Sequence, residues 1–253
     1  MKIIALESSA LTASTAIMED GLLTAEYTVN YKLKHSKTLL SMLDEIARMT
    51  ELDLKTVDGI AISAGPGSFT GLRIGSATAK GIGLVLDKPL IEVPTLEALA
   101  YDLFRPNALI CPIMDARREQ VYNGIYRFEG DDMITIEDQR ALGVDELCVE
   151  LDEDHSENAD LPVIFLGDGA AVFKNKIDEL LKRPHSFAPA HLSTPRAASV
   201  ASLGLKYLKE GKTVSAADHA PTYLRKSQAE RVRDEKAAAE KIDKTVYHDH
   251  KEV

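Results

Sequence analysis

The chain has 253 residues, two cysteines and a formal net charge of −10, from 40 acidic and 30 basic side chains. A chain of this length buries a sizeable core without disulfide or metal staples, and its acidity argues against a broad electrostatic grip on nucleic acid, which depends on clustered Lys and Arg. Cys111 and Cys148 lie inside apolar patterns, the N-terminus opens directly on a strand pattern, and no run approaches the ~18 apolar residues of a membrane span, so a cytoplasmic protein with buried thiols is expected.

Lys2 to Leu6 predicts a first strand. Thr15 to Met18 predicts a second, ended by the turn Glu19-Asp20-Gly21, where Asp-Gly is a hairpin signal. Leu22 to Val29 continues as a third. A helix is expected from about Ser36, its N-cap, to Met49. A buried strand follows over residues 57–63, then a glycine-rich helix to about Leu86, a short strand at Leu90 to Val93, and a helix capped by Thr95 and running to Phe104. The second half follows the same plan. Strands are expected at Ala108 to Met114, Gln120 to Phe128 and Met133 to Leu142, a helix at Val144 to Leu151, a polar loop at 152–161, a strand at Pro162 to Leu166, and helices to about Lys182 and over Pro195 to Lys209. The repeat lies in the order of elements, not in the residues. Arg105-Pro106-Asn107 marks a boundary, so residues 1–105 and 106–225 are expected as two lobes. Residues 226–253 are charge-rich and almost without large apolar residues, which predicts a solvated tail. Its His248 and His250 are weak evidence for a metal.

The most unusual stretch is SAGPGSFTGLRIGSATAKGIG, Ser63 to Gly83, in which Gly71, Gly75, Ala79 and Gly83 recur every fourth residue. Glycine inside a helix costs roughly 1 kcal/mol relative to alanine, so three of them must gain something. An anion held at the helix N-terminus is one gain. However, Gly65, Gly67 and Gly71 fit neither GxGxxG nor GxxxxGK[ST], and Lys80 lies too far along to be a P-loop lysine. Close approach of another backbone explains more. The four small residues form one ridge. Ile74, Ala77, Gly81, Leu84 and Val85 fill much of the remaining circumference, and only Arg73, Ser76 and Lys80 form a polar strip. A helix apolar nearly all round is buried on more than one side, by its own sheet and by a neighbour, either the preceding helix or a partner's. In that preceding helix Leu39, Leu40, Leu43, Ile46 and Ala47 form a core stripe with Met42 and Met49 beside it, as an adaptable contact or a core edge. His35, Met42, Met49, Gly71, Gly75, Ala79 and Gly83 are the expected docking residues of this two-helix face.

A βββαβα unit occurring twice, with a Ser/Thr-rich first hairpin, suggests the two-lobe α/β actin-like ATPase and sugar-kinase (ASKHA) architecture. Within it, LESSALTASTAI, HSKTLLSMLDEI, SAGPGSFTGLRIG, MDARREQVYNGIY and PTYLRK resemble one bacterial family, TsaB (also called YeaZ), in a resemblance that spans roughly residues 1–226. The resemblance implies a non-catalytic subunit of the machinery that makes threonylcarbamoyladenosine at position 37 of tRNAs. It further implies docking to the catalytic subunit TsaD through helices of the first lobe, work with the small ATPase TsaE, a self-dimer when alone, tRNA met only through the complex, and no membrane. The catalytic relative holds a metal through an HxxxH pair. Among the seven histidines here no such pair occurs: four residues after His35 stands Leu39. With no HExxH or CxxC either, no metal site is expected.

In the actin-like architecture the first hairpin offers an acidic residue and Ser/Thr groups to phosphate. Those positions fall here on Glu7, Ser8, Ser9 and Thr12, and Gly167-Asp168-Gly169 resembles a second phosphate loop. Relatives usually carry Asp where Glu7 stands, and the extra methylene disturbs a metal–phosphate geometry. No cofactor is therefore expected for this chain alone, with Ser8 and Ser9 read as a polar strand end and Gly167 to Gly169 as a tight turn; ATP or ADP at these residues or in the complex is the alternative. Asp115, Arg117, Arg118, Glu119 and Tyr122 are polar where an interlobe cleft would lie. They read as ion pairs, since no Ser or Cys nucleophile with a placed base is legible, and Tyr223 and Arg225 are read likewise. Two rivals stand beside the scaffold reading: a stand-alone kinase-like ATPase or glycoprotease-type hydrolase, and a homodimeric binding module with another client.

Overall fold

β1 (Lys2–Glu7) is an almost unbroken apolar run buried on both faces, as a central strand of a covered sheet must be. In this computed structural model, which describes residues 1–31 and 35–225, β1 pairs antiparallel with β2 (Thr12–Glu19), which pairs antiparallel with β3 (Leu22–Asn30). On its other side lies β4 (Gly59–Gly65) and then β5 (Leu90–Pro94), both parallel, giving the order β3-β2-β1-β4-β5. The predicted Asp-Gly turn is present, with Asp20 at φ 49 and Gly21 at φ 86. Side chains alternate across the sheet. Ile4 and Leu6 face α1 (His35–Met49) and α2 (Phe69–Leu86). Ile3 and Ala5 face α3 (Thr95–Ala100) and α6 (Ala197–Lys209).

The second sheet repeats this plan. β6 (Leu109–Arg117), β7 (Gln120–Glu129) and β8 (Asp132–Gly143) form the antiparallel part. β9 (Val163–Leu166) and β10 (His185–Phe187) add in parallel, for the order β10-β9-β6-β7-β8. α4 (Val144–Asp152) and α5 (Asp168–Leu180) cover one face through Leu147, Leu151, Phe173 and Ile177. The actin-like βββαβα unit therefore occurs twice. Cys111 and Cys148 are free and buried in this second core, as expected. No described helix is long and apolar enough to cross a membrane.

Two helices tie the sheets together. α3 packs Leu96 and Leu99 against Ile110, Met114, Tyr126 and Leu166 of the second sheet. α6 follows the second sheet in sequence yet packs on β1, β2 and β4 of the first. Met1–Thr222 form one compact unit, and Tyr223–Val253 a second, of which residues 223–225 are described. The charged tail expected over 226–253, with His248 and His250, lies outside the described residues. Three local expectations are corrected. Thr95 does not cap α3: it is the first helical residue, with Oγ1 buried and unpartnered. α3 also stops at Ala100, not Phe104. β10 went unpredicted because three residues, His-Ser-Phe, carry no readable alternation.

α6 has no side-chain cap of its own; the first sheet supplies one. Ser14 Oγ accepts from Ala197 N at 3.0 Å, and Glu26 Oε1 accepts from Ala198 N at 3.1 Å while pairing with Arg196. Beside them Ser199 Oγ donates to Asp102 Oδ1, and Asp102 Oδ2 is buried without a partner. Burial pushes the Asp102 carboxyl from 3.8 up to about 7, with Ser199 and Arg196 opposing and Glu26 and Glu7 assisting. Its proton is thus held more tightly folded than unfolded, so its contribution is complete below about pH 4 and is lost as pH rises through about 7. Asp102→Asn is expected to flatten the stability profile between about pH 4 and 7. It should be the more stable protein at pH 8, by on the order of 2 kcal/mol in urea melts. Parallel profiles for the two proteins would contradict this.

Candidate functional site

The β1–β2 hairpin places Glu7, Ser8, Ser9 and Thr12 together, and all four are at most 3% exposed. Glu7 Oε1 accepts from Ser9 N at 2.6 Å and Ser9 Oγ at 2.5 Å, and Oε2 accepts from Ser63 Oγ of β4. Burial pushes the Glu7 carboxyl up, while Ser63, Ser9 and the nearby His35 pull it back. Ser8 Oγ donates to Gly71 O at 2.9 Å, and Ser9 O accepts from Ser68 N at 2.6 Å. The first turn of α2 thus sits on the hairpin tip, where the actin-like comparison would put a phosphate.

That contact explains the glycine ridge. A Cβ on Gly71 would stand 2.1 Å from Ser8 O, one on Gly75 2.3 Å from Ser8 Oγ, and one on Gly83 3.0 Å from Leu90 Cδ2 and 3.1 Å from Ala216 Cβ. Ala79 is fully buried beneath the same helix. The close-packing account therefore holds with a different neighbour: the ridge receives the chain's own hairpin and sheet. Gly71, Gly75, Ala79 and Gly83 are not on the outward surface. Met42, at 5% exposed, is also inside. His35 turns its Nε2 to Ala10 O at 2.9 Å, with Nδ1 buried and unpartnered. Of the seven expected docking residues only Met49 is exposed, at 70%.

The outward strip of α2 lies on the side away from the glycine ridge. Ala77, Gly81, Leu84 and Val85 are exposed, the last two at 64% and 84%, and Leu40 of α1 stands out at 58%. The helical period shows which positions share a face but not which face meets the sheet. The exposed phase becomes assignable only once Ser8 is placed against Gly71. Lys80, Glu92 and His219 also come together here, a grouping that no local signal announces.

In the second lobe the polar cluster around Arg117 forms ion pairs within β6 and from the hairpin tip to α5. Asp115 pairs with Arg117 at 2.8 Å, and Glu119 pairs with Lys176 at 2.9 Å. Arg117, Arg118 and Glu119 adopt left-handed φ of 66, 56 and 58 at the hairpin tip. Gly167, at φ +102, lies where a Cβ would stand 2.2 Å from Ile113 O, so the turn against β6 is made at Gly167 alone, and Asp168 and Gly169, read from sequence as part of it, already belong to α5. Asp168 Oδ1 accepts from Asp115 N at 3.1 Å, and burial pushes its carboxyl up. Among the described residues no group of three His, Cys, Asp or Glu is placed to hold a metal ion.

Residues 25–232 match the family model described as TsaD, tRNA N6-adenosine threonylcarbamoyltransferase. The chain is 31% identical over 231 residues to the tRNA threonylcarbamoyladenosine biosynthesis protein TsaB of Bacillus subtilis, covering 91% of this chain and 96% of that one. It is 27% identical to the TsaB of Escherichia coli, over 90% and 96%. The solved structure of YeaZ from Pseudomonas aeruginosa superposes with a TM-score of 0.74 at 25% identity, covering 88% of this chain and 99% of that one.

Proposed function

The chain belongs to the TsaB family of tRNA threonylcarbamoyladenosine biosynthesis proteins, and on that premise we propose that it is a non-catalytic subunit that docks a TsaD-type threonylcarbamoyltransferase and holds it in a productive arrangement. The observation that carries this reading is the exposed apolar strip Ala77, Gly81, Leu84 and Val85 on a helix whose inner side is already packed. Such a strip exposes apolar surface that a partner would bury. A family model built on the transferase matches most of this chain, so client and subunit share a plan. The same helix pair can then meet its counterpart on the client or, when the client is missing, on a second copy of itself. A TsaE-like ATPase and the tRNA join through the transferase.

The chain alone holds no nucleotide in this reading. The Glu7 carboxylate is occupied by Ser9 and Ser63, and Ser8 and Ser9 are occupied by the first turn of α2. The test is size-exclusion chromatography of the chain, the transferase and their mixture, each with and without Mg-ATP. The mixture is expected in one earlier peak containing both chains, and ATP is expected to leave the melting temperature of the chain alone unchanged. Separate elution at micromolar concentrations overturns docking. ATP turnover by the pure chain, abolished by Glu7→Gln, would instead carry the enzyme reading.

A further inference from the structure

After α6 the chain runs back along the edge of the first sheet. Val214 exchanges two main-chain hydrogen bonds with Leu90 of β5, each 2.9 Å. Ala216 is buried with the side chains beneath α1 and α2, opposite Gly83. A turn closed by His219 N to Ser215 O follows, and Thr222 N then donates to Ala64 O at 2.7 Å, at the end of β4. Lys212–Thr222 thus follows α2 from its last turn to the loop before its first. α1 lies over β2 and β3, this segment borders β5, and α2 lies over β4 between them.

One side chain clamps α2 to the segment. Lys80 Nζ donates to the carbonyls of Ala217 and His219, both at 2.9 Å. His219 is anchored in turn: its side chain is fully buried, Nδ1 lies 2.6 Å from Glu92 Oε1 of β5, and Nε2 is buried without a partner. A ridge of Gly and Ala allows close approach but offers few knobs to resist sliding or rotation. Ser8 and Ser9 fix the first turn of α2. The last turns, which carry Leu84 and Val85, lie beside the segment.

We propose that Lys212–Thr222 is a strap that sets the position of α2 on the sheet, that Lys80 is the positioning residue through which it acts, and that docking of the transferase depends on it. Only the last clause rests on the docking reading. Hydrogen–deuterium exchange of the full chain and calorimetric titration with the transferase test it, in Lys80→Met, Lys80→Arg and Val85→Glu. Lys80→Met keeps the apolar stem and removes the donors, and Ala217 is exposed enough for its carbonyl to hydrate. Amides of residues 78–86 are expected to exchange about tenfold faster, with binding weakened about tenfold, and Lys80→Arg is expected to restore both. Glu92→Gln, which loosens the His219 anchor from the other end, should shift exchange the same way to a lesser degree. Unchanged exchange in both Lys80→Met and Glu92→Gln overturns the strap. Faster exchange with unchanged affinity, while Val85→Glu weakens binding, overturns its role in docking. If Val85→Glu itself leaves binding intact, the docking reading fails, and exchange still decides the strap.

Discussion

Gly71→Ala is expected to destabilise the protein by on the order of 2–3 kcal/mol, a fall in melting temperature of about 5–10 °C, whereas Gly81→Ala, in the same helix, raises it. The added Cβ of Gly71→Ala would stand 2.1 Å from Ser8 O. That atom is backbone, held between Glu7 and the Ser9 carbonyl that Ser68 N engages, so either the hairpin or α2 must shift. The overlap outweighs the roughly 1 kcal/mol that alanine gains over glycine within a helix. Gly75→Ala falls between, because its obstacle is the Ser8 hydroxyl, which can rotate away and forfeit its bond to Gly71 O. At Gly81 nothing lies within 4 Å, so only the propensity gain remains. Thermal melts of the three variants give the order directly. If Gly71→Ala and Gly81→Ala move together, the ridge does not face the hairpin. A larger side chain, as in Gly75→Leu, would disturb the fold before any partner was met.

The second large effect is on association. Leu84→Glu with Val85→Glu is expected to weaken transferase binding by about thirtyfold or more, the scale of losing a central apolar anchor. Both side chains are mostly exposed, so the unfolding free energy should change by no more than about 0.5 kcal/mol. Isothermal titration beside a urea melt separates the two effects. Full-strength binding by the doubly substituted chain would sink the proposal that this strip is the docking surface.

Local chemistry was legible where neighbours in sequence are neighbours in space. The Asp20-Gly21 turn and the strand over Lys2 to Leu6 required only adjacent residues. The glycine ridge was half legible. Its spacing announced close approach, but the neighbour is Ser8, 63 positions upstream, and a glycine carries no mark of what it faces. The same blindness to phase assigned Met42 to a surface and passed over Leu84 and Val85. The caps of α6 lay further out of reach. Ser14 and Glu26 act across 183 and 172 positions, and neither looks unlike an ordinary strand residue.

Because α6 and the strap return to the first sheet, the lobe made first is the lobe finished last. On a ribosome, β1 to β5 emerge long before residues 197–222. Until those arrive, the side of the sheet carrying Ile3, Ala5 and Val93 lacks most of its cover, and Lys80 has no carbonyls to hold. N-terminal domains commonly fold while synthesis continues, but this one waits for nearly the whole unit. A nascent or broken chain ending before α6 has an unfinished first lobe, so the outward strip of α2 takes its final place only once residues 197–222 have joined the first sheet.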